Sequence, residues 1–313
     1  MAKRAEADPA RWVAGLGTLV ALAVGAGLAL ALAGAAGPPP SVWLRAVALG
    51  ASVLLVGLGS IERLGVAPSA RVIGVSAVVW FIAAVGIVWL GTAERAGVSP
   101  ARVTVTEFAG AWSAHPGELI GVGCALAVVL WALGRLTARI DMPPTVVAGA
   151  AGVGLTAVAV GGHAGVTALG PVVVGAHTIA AAWWCGTLAA LAVTVRGRAG
   201  WASALPRFSA TALWAVVLLV VSGVVAAVVN VDAFGGPGLS VWWTSGYGRV
   251  VSAKALALLG LAGLAAAHRR RWVPRARAHR VDAGDSLRHA AVEVAVMAVA
   301  LGLAAGLAGT APG

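Results

Sequence analysis

The sequence predicts an all-α protein, a polytopic bundle of transmembrane helices. Of its 313 residues, 60% are hydrophobic and only 11% are charged, less than half of the roughly 25% charge of a typical soluble domain. Apolar runs of about 20 residues recur along the chain, the length that a helix needs to cross a hydrocarbon core about 30 Å thick. They lack the two-residue alternation of barrel strands. The composition therefore excludes a soluble enzyme, a disordered chain and a disulfide-rich secreted module.

Nine spans follow from the apolar runs and from the prolines and glycines between them. We predict them at 12–36, 42–62, 72–92, 118–136, 145–161, 171–193, 208–230, 250–267 and 289–308. Lys3 and Arg4 precede the first span as in a signal peptide, but its apolar stretch of about 24 residues exceeds the about 7–15 of such a peptide. We expect an uncleaved anchor. The spans divide into an N-terminal half, 1–160, with about five, and a second domain, 161–313, with about four.

The basic residues predict the orientation of the bundle. If the N-terminus lies in the cytoplasm, 17 of the 22 lysines and arginines fall on the inner side and only five on the outer side. Such an excess on the cytoplasmic side is typical of membrane proteins. It favours an N-in, C-out topology, with the lipid bilayer as the main partner. The net charge of +11 is then an orientation signal, and we expect no nucleic-acid binding.

No motif predicts catalysis. The chain has no Walker loop, no HExxH and no GxGxxG with an acidic partner. No Ser-His-Asp or Cys-His grouping stands out in the sequence. We therefore expect that the protein is not an enzyme and has no catalytic residues.

Polar groups at membrane depth are costly and commonly mark a function. His163 lies at the outer end of span five, and His177 lies about two turns into span six from the same side. Neutral imidazole is a good ligand for copper, zinc or haem iron. A hydrogen bond to a neighbouring helix is the alternative interpretation for each. Their shared depth on adjacent helices favours a metal-binding role.

Five further residues are candidates for a polar pathway or gate. Lys254 lies one turn inside span eight, where a lysine also snorkels to the surface, and Tyr247 precedes it. Glu293 enters span nine from the opposite face, where contact with the arginines at 269–280 is the simpler interpretation. Met297 lies one turn beyond Glu293, although core packing explains it as well. Cys185 lies two turns deeper than His177 in span six.

The second half resembles the copper resistance protein D (CopD) family of bacterial inner-membrane proteins. The resemblance is carried by seven stretches and by Lys254, which lies between the fifth and the sixth of them. The stretches are 162–164 (GHA), 177–186 (HTIAAAWWCG), 207–209 (RFS), 222–225 (SGVV), 244–249 (TSGYGR), 268–271 (HRRR) and 292–293 (VE). Their order and spacing are more specific than any one of them. More narrowly, the chain is similar to the actinobacterial version in which such a region precedes a cytochrome oxidase assembly domain.

The resemblance implies copper handling at the bacterial plasma membrane, in transport or in resistance. It also implies a small periplasmic copper-binding partner of the CopC type and an association with a cytochrome oxidase assembly factor. Under this hypothesis copper binds near the outer face at His163 and His177. Two alternatives stay open: a membrane cytochrome b-like redox protein with histidine-ligated haem, which we do not favour, and a structural or assembly partner without a metal.

Overall fold

The computed structural model describes residues 9–162, 168–229 and 241–310, and the described parts contain helices and no strand. The α-helices in these ranges are α1 (Pro9–Ala33), α2 (Val42–Ser60), α3 (Ala70–Ala96), α4 (Val105–Ala111), α5 (Pro116–Leu136), α6 (Thr145–Val160), α7 (Gly170–Thr194), α8 (Gly197–Val229), α9 (Val241–Thr244), α10 (Gly246–Arg277) and α11 (Ala283–Leu307). The predicted all-α polytopic bundle is therefore confirmed.

Eight of the described helices are long and apolar enough to cross a bilayer. They correspond to eight of the predicted spans. The remaining span, 145–161, corresponds to α6, which has only 16 residues and is about 24 Å long at 1.5 Å per residue. Helix α6 is thus shorter than the hydrocarbon core, about 30 Å thick. The nine-span count stays a prediction.

Two expected helix breakers lie inside helices. Pro206 lies within α8 and Pro274 within α10, so the inner loop expected at 268–288 is helical up to Arg277 and again from Ala283. A proline removes one backbone hydrogen bond and leaves the carbonyl four residues earlier unpaired. For Pro274 that carbonyl belongs to Arg270, an exposed residue, so the unpaired group is not in the core of the bundle.

Helices α2 and α7 form the centre of the bundle. Helix α2 packs against α3, α6, α7 and α11, and α7 also contacts α6, α8 and α11. Gly57 and Gly186 lie face to face where α2 and α7 meet, and a Cβ atom on Gly57 would overlap the carbonyl group of Gly186. Such small residues allow two helix backbones to approach closely in a membrane. The central contact therefore depends on the absence of side chains.

Helix α1 packs along the last helix, α11. Gly25 of α1 lies against the backbone of Val299, and Ala29 lies against Gly306. Because residue numbers rise together along this contact, α1 and α11 run parallel. In a bundle of nine spans that cross the membrane in alternating directions, the first and the ninth helix also run parallel. Helices from both sides of the predicted boundary at 160/161 share one core, and the division itself stays a prediction.

Several basic residues predicted on the inner side tie helix ends together. Arg11 donates to carbonyl oxygens at the C-terminal end of α7. Arg207 Nη1 donates to Leu64 O at 3.1 Å, and Arg269 Nη1 donates to Ser209 O. These residues stabilise one end of the bundle through hydrogen bonds as well as through their charge. Which side of the membrane this end faces stays a prediction.

Candidate functional site

His177 of α7 is held by a serine of the neighbouring helix. Its Nδ1 lies 2.9 Å from Oγ of Ser222 in α8, and Ser222 is only 5% exposed. The Ser222 Oγ also lies 2.6 Å from Leu218 O. Because a carbonyl only accepts, the serine proton points to Leu218, and Nδ1–H of His177 donates to Oγ. The lone pair is then on Nε2, which is the form that binds a metal.

The ring of His177 lies against a glycine. A Cβ atom on Gly223 would lie 3.7 Å from His177 Cε1, so no side chain at 223 covers this edge of the imidazole. The hydrogen bond predicted as the alternative role is therefore present, and it is also what orients a histidine ligand. The contact alone fits both interpretations.

Lys254 of α10 lies close enough to His177 to interact with it electrostatically. It is partly exposed, and among the described residues no hydrogen bond or ion pair to its ammonium group is found. A positive charge within electrostatic range of the ring weakens the binding of a cation there. Lys254 is therefore placed to influence how tightly His177 holds a metal.

His163, the second predicted ligand, lies outside the described residues, in the segment 163–167. Tyr247 is half-buried in the first turn of α10 and has interaction partners. Next to it, Ser245 caps α10 by accepting from Gly248 N at 3.0 Å. Arg249 Nε donates to Leu32 O of α1 at 2.8 Å, which fixes this end of α10 against the bundle.

Glu293 of α11 has a partner other than the expected arginines. Its Oε2 lies 2.8 Å from Nδ1 of His268 in α10, with side chains 5% and 14% exposed. No ion pair between Glu293 and an arginine is found in the parts of the chain that the structure describes. In the sequence His268 belongs to the basic stretch 268–271 (HRRR), and nothing there indicated a pairing with Glu293. The pair forms because α10 continues past residue 267 and pairs with α11 as an antiparallel hairpin.

Cys185 and Met297 lie in the same buried core. Met297 is 1% exposed and Cys185 9%, Cys185 is a free thiol, and the helices that carry Cys185 and Glu293, α7 and α11, are in contact. Met297 shares the face of Glu293 because the two are four residues apart on one helix. Cys185, Glu293 and Met297 therefore lie on the contact between α7 and α11, deeper than His177.

No group of three or more histidine, cysteine or acidic side chains with a metal-binding arrangement is found within 9–162, 168–229 and 241–310. On the predicted outer side the described residues include two imidazoles, those of His177 and His115, and both ring nitrogens of His115 are engaged, Nε2 with Arg95 Nη1 and Nδ1 with Ala111 O. Any further ligand of this site has to come from elsewhere, and His163 is the candidate from the sequence.

The C-terminal helices carry the decisive similarity. Residues 202–307 match the family model described as Copper resistance protein D. This segment is similar to the CopD family. It covers about a third of the chain and includes Ser222, Lys254, His268 and Glu293, whereas His177 precedes it. The suspected relation to CopD is confirmed over this segment, and the eight apolar helices with the CopD match support a membrane protein of copper handling. No curated protein and no solved structure matches the chain.

Proposed function

We propose that this protein, whose segment 202–307 is similar to CopD, binds copper near the outer face of a bacterial plasma membrane, through His177 and His163, and carries it across the membrane or protects the cell from it. The match over 202–307 carries the proposal. The His177–Ser222 contact supports it, because it leaves Nε2 of His177 free to bind a metal. The proposal assigns no catalytic step to the chain.

The proposal includes partners on both sides. A small periplasmic protein of the CopC type would deliver copper to the outer end or remove it from there. A cytochrome oxidase assembly factor would be the consumer of the copper. Copper is the cargo in this scheme. Its route is lined, or its passage controlled, by five candidate residues: Lys254, Tyr247, Cys185, Glu293 and Met297.

Copper content and copper sensitivity of cells with and without the protein test this function. A transporter into the cell raises the copper content, whereas a resistance protein lowers it or raises the tolerated concentration. The variant carrying His163→Ala and His177→Ala should abolish either effect. His279→Asn is the matched control, because His279 is exposed and has a φ of 55°, which asparagine tolerates. If the double variant behaves as the unchanged protein, His163 and His177 are not copper ligands.

The absorption spectrum of the purified protein separates copper handling from the cytochrome b-like alternative. Haem bound by two histidines gives a strong Soret band, and we expect none. A Soret band that is lost in His177→Ala would replace the copper proposal by the redox one. Unchanged copper content and tolerance in every histidine variant would favour the structural or assembly role.

A further inference from the structure

Two histidines lie together at the end of α10 opposite to Lys254. The ring centroids of His268 and His289 are 5.3 Å apart, with ring planes at 70°. Both residues line one cavity of about 260 Å³ between α10 and α11. His268 lies 14 residues beyond Lys254 on α10, about 21 Å along the helix axis. The pair is therefore separate from the site at His177.

When neutral, each of the two rings donates from Nδ1 and keeps its lone pair on Nε2. Nδ1 of His289 lies 2.7 Å from the carbonyl oxygen of Asp285, and Nδ1 of His268 lies 2.8 Å from the Glu293 carboxylate. A carbonyl and a carboxylate both accept, so the ring proton is on Nδ1 in each case. Histidine ligands of metals characteristically have this arrangement, in which a carboxylate or carbonyl group accepts from the nitrogen that does not bind.

Trp272 fixes the orientation of both rings. It is 4% exposed, meets His268 edge-on at 5.3 Å and stacks on His289 at 5.4 Å. Its own Nε1 donates to Ser286 Oγ at 3.4 Å. A rigid aromatic side chain that packs on two imidazoles reduces the entropy lost when a ligand binds between them.

The charges around the cavity separate two kinds of ligand. Arg271 and Arg275 also line it, and both are exposed, so water screens their charge. They would suit an anion such as a lipid phosphate. The two imidazoles do not, because each presents a lone pair at Nε2, and the carboxylate of Glu293 lies directly behind His268. The less exposed groups, His268, His289 and Glu293, therefore favour a cation.

We propose that Nε2 of His268 and Nε2 of His289 bind a monovalent copper ion at this second site. Two neutral nitrogen ligands suit the low coordination number of Cu(I), whereas zinc sites take four ligands. The choice of copper as the ion rests on the proposed function, but the pair of ligands rests on the contacts of His268 and His289 alone. A copper ion that leaves the His177 end would bind here at the opposite end of the same helix bundle.

Anaerobic titration of the purified full chain in detergent with Cu(I), against a chromophoric chelator, tests the proposal. The variant with His163→Ala and His177→Ala serves as the background, because it removes the outer site. We expect it to retain copper, and we expect His268→Gln or His289→Gln in this background to remove that copper. His279→Asn is the control variant. X-ray absorption of the retained copper should show two nitrogen ligands.

A conservative substitution of Glu293 distinguishes a loss of copper binding from a loss of folding. Glu293→Gln keeps the size of the side chain and an oxygen that accepts from His268, but it removes the charge. We expect it to elute and unfold as the unchanged protein does, and to weaken Cu(I) binding by roughly 10–100-fold, the usual effect of losing a group that supports a metal ligand.

Each outcome has a distinct meaning. If His268→Gln and His289→Gln leave the retained copper unchanged, the second site does not exist. The same holds if these variants lose co-purified phosphatidylglycerol but no copper, since the cavity then binds a lipid phosphate. If the inner variants lose copper while His163→Ala and His177→Ala together change nothing, the second site stands and the outer ligands of the proposed function are wrong.

Discussion

Arg11, at the start of α1, caps the C-terminal end of α7: its Nη1 lies 2.7 Å from the carbonyl oxygen of Ala192, a residue 181 positions later in the sequence. The same nitrogen lies 2.9 Å from Val193 O, and Nη2 donates to Val195 O. The last carbonyl groups of a helix have no partner within the helix, and a cation placed there also interacts favourably with the helix dipole.

We therefore expect Arg11→Ala to destabilise the bundle by about 1–2 kcal/mol, since hydrogen bonds to charged groups contribute about 1.5–3 kcal/mol and this one is partly exposed to water. Thermal unfolding in detergent measures the change. Arg102→Ala is the control, because Arg102 is exposed in the short turn Pro100–Arg102. Equal unfolding temperatures for the two variants would contradict the capping role.

The contact between α2 and α7 predicts that a single methyl group is not tolerated at its centre. Gly186→Ala would place its Cβ against Val53 O, so the helices have to separate. We expect a loss of about 1–3 kcal/mol or more. Gly149→Ala in α6 is the matched control, because nothing lies within 4 Å of the added atom and alanine favours a helix by about 0.5–1 kcal/mol. Loss of stability in both variants would mean that helix contact is not the cause.

Removal of the Ser222 hydroxyl should weaken copper binding at the outer site. Without its Oγ, Nδ1–H of His177 loses its acceptor and the ring is free to rotate. We expect Ser222→Ala to lower the copper affinity of the outer site by roughly 10–100-fold, measured by chelator competition in a His268→Gln background. Thr211→Ala, an exposed position on the same helix, should have no effect. An unchanged affinity in Ser222→Ala would show that His177 serves packing alone.

The short helix α6 decides the number of crossings. If α6 crosses the membrane, a reporter inserted at Asp141 lies inside and one inserted at Ala168 lies outside. Alkaline phosphatase, which is active only outside, should therefore be inactive at the first position and active at the second. A fusion after Arg196 provides the inside control. Equal activity at Asp141 and Ala168 would overturn both the nine-span count and the N-in, C-out orientation.

The helices were predictable from the sequence because a lipid environment leaves an apolar run of about 20 residues little choice of structure. The C-terminal end of α10 and the start of α11 were not predictable. The arginines of this segment indicate a membrane surface, but, like its alanines, they also favour a helix. That error concealed the pairing of His268 with Glu293. Once the turn near residue 280 is known, the signal is simple: the pairs 268/293 and 272/289 lie symmetrically about it, as in any antiparallel helical hairpin.

The sequence predicted only some of the residues of the outer site. Polar residues in apolar spans indicated His177 and Lys254, and the structure places them close enough to interact. Ser222 was not predicted as a partner, because a serine inside an apolar helix commonly bonds to its own backbone, as Ser222 also does. Its second bond depends on how α7 and α8 are rotated against each other, which no periodicity of these nearly all-apolar helices specifies.

The parallel contact of α1 with α11 has a consequence for the way the protein is made. Helix α1 is synthesised before α11, so the face that carries Gly25 meets its partner only after α11 has entered the membrane. During synthesis this face has to remain exposed to lipid or to an insertion factor. Truncation before α11 should thus leave α1 without its main packing partner, held only by its contacts with α2, α7 and α10, and more open to proteolysis.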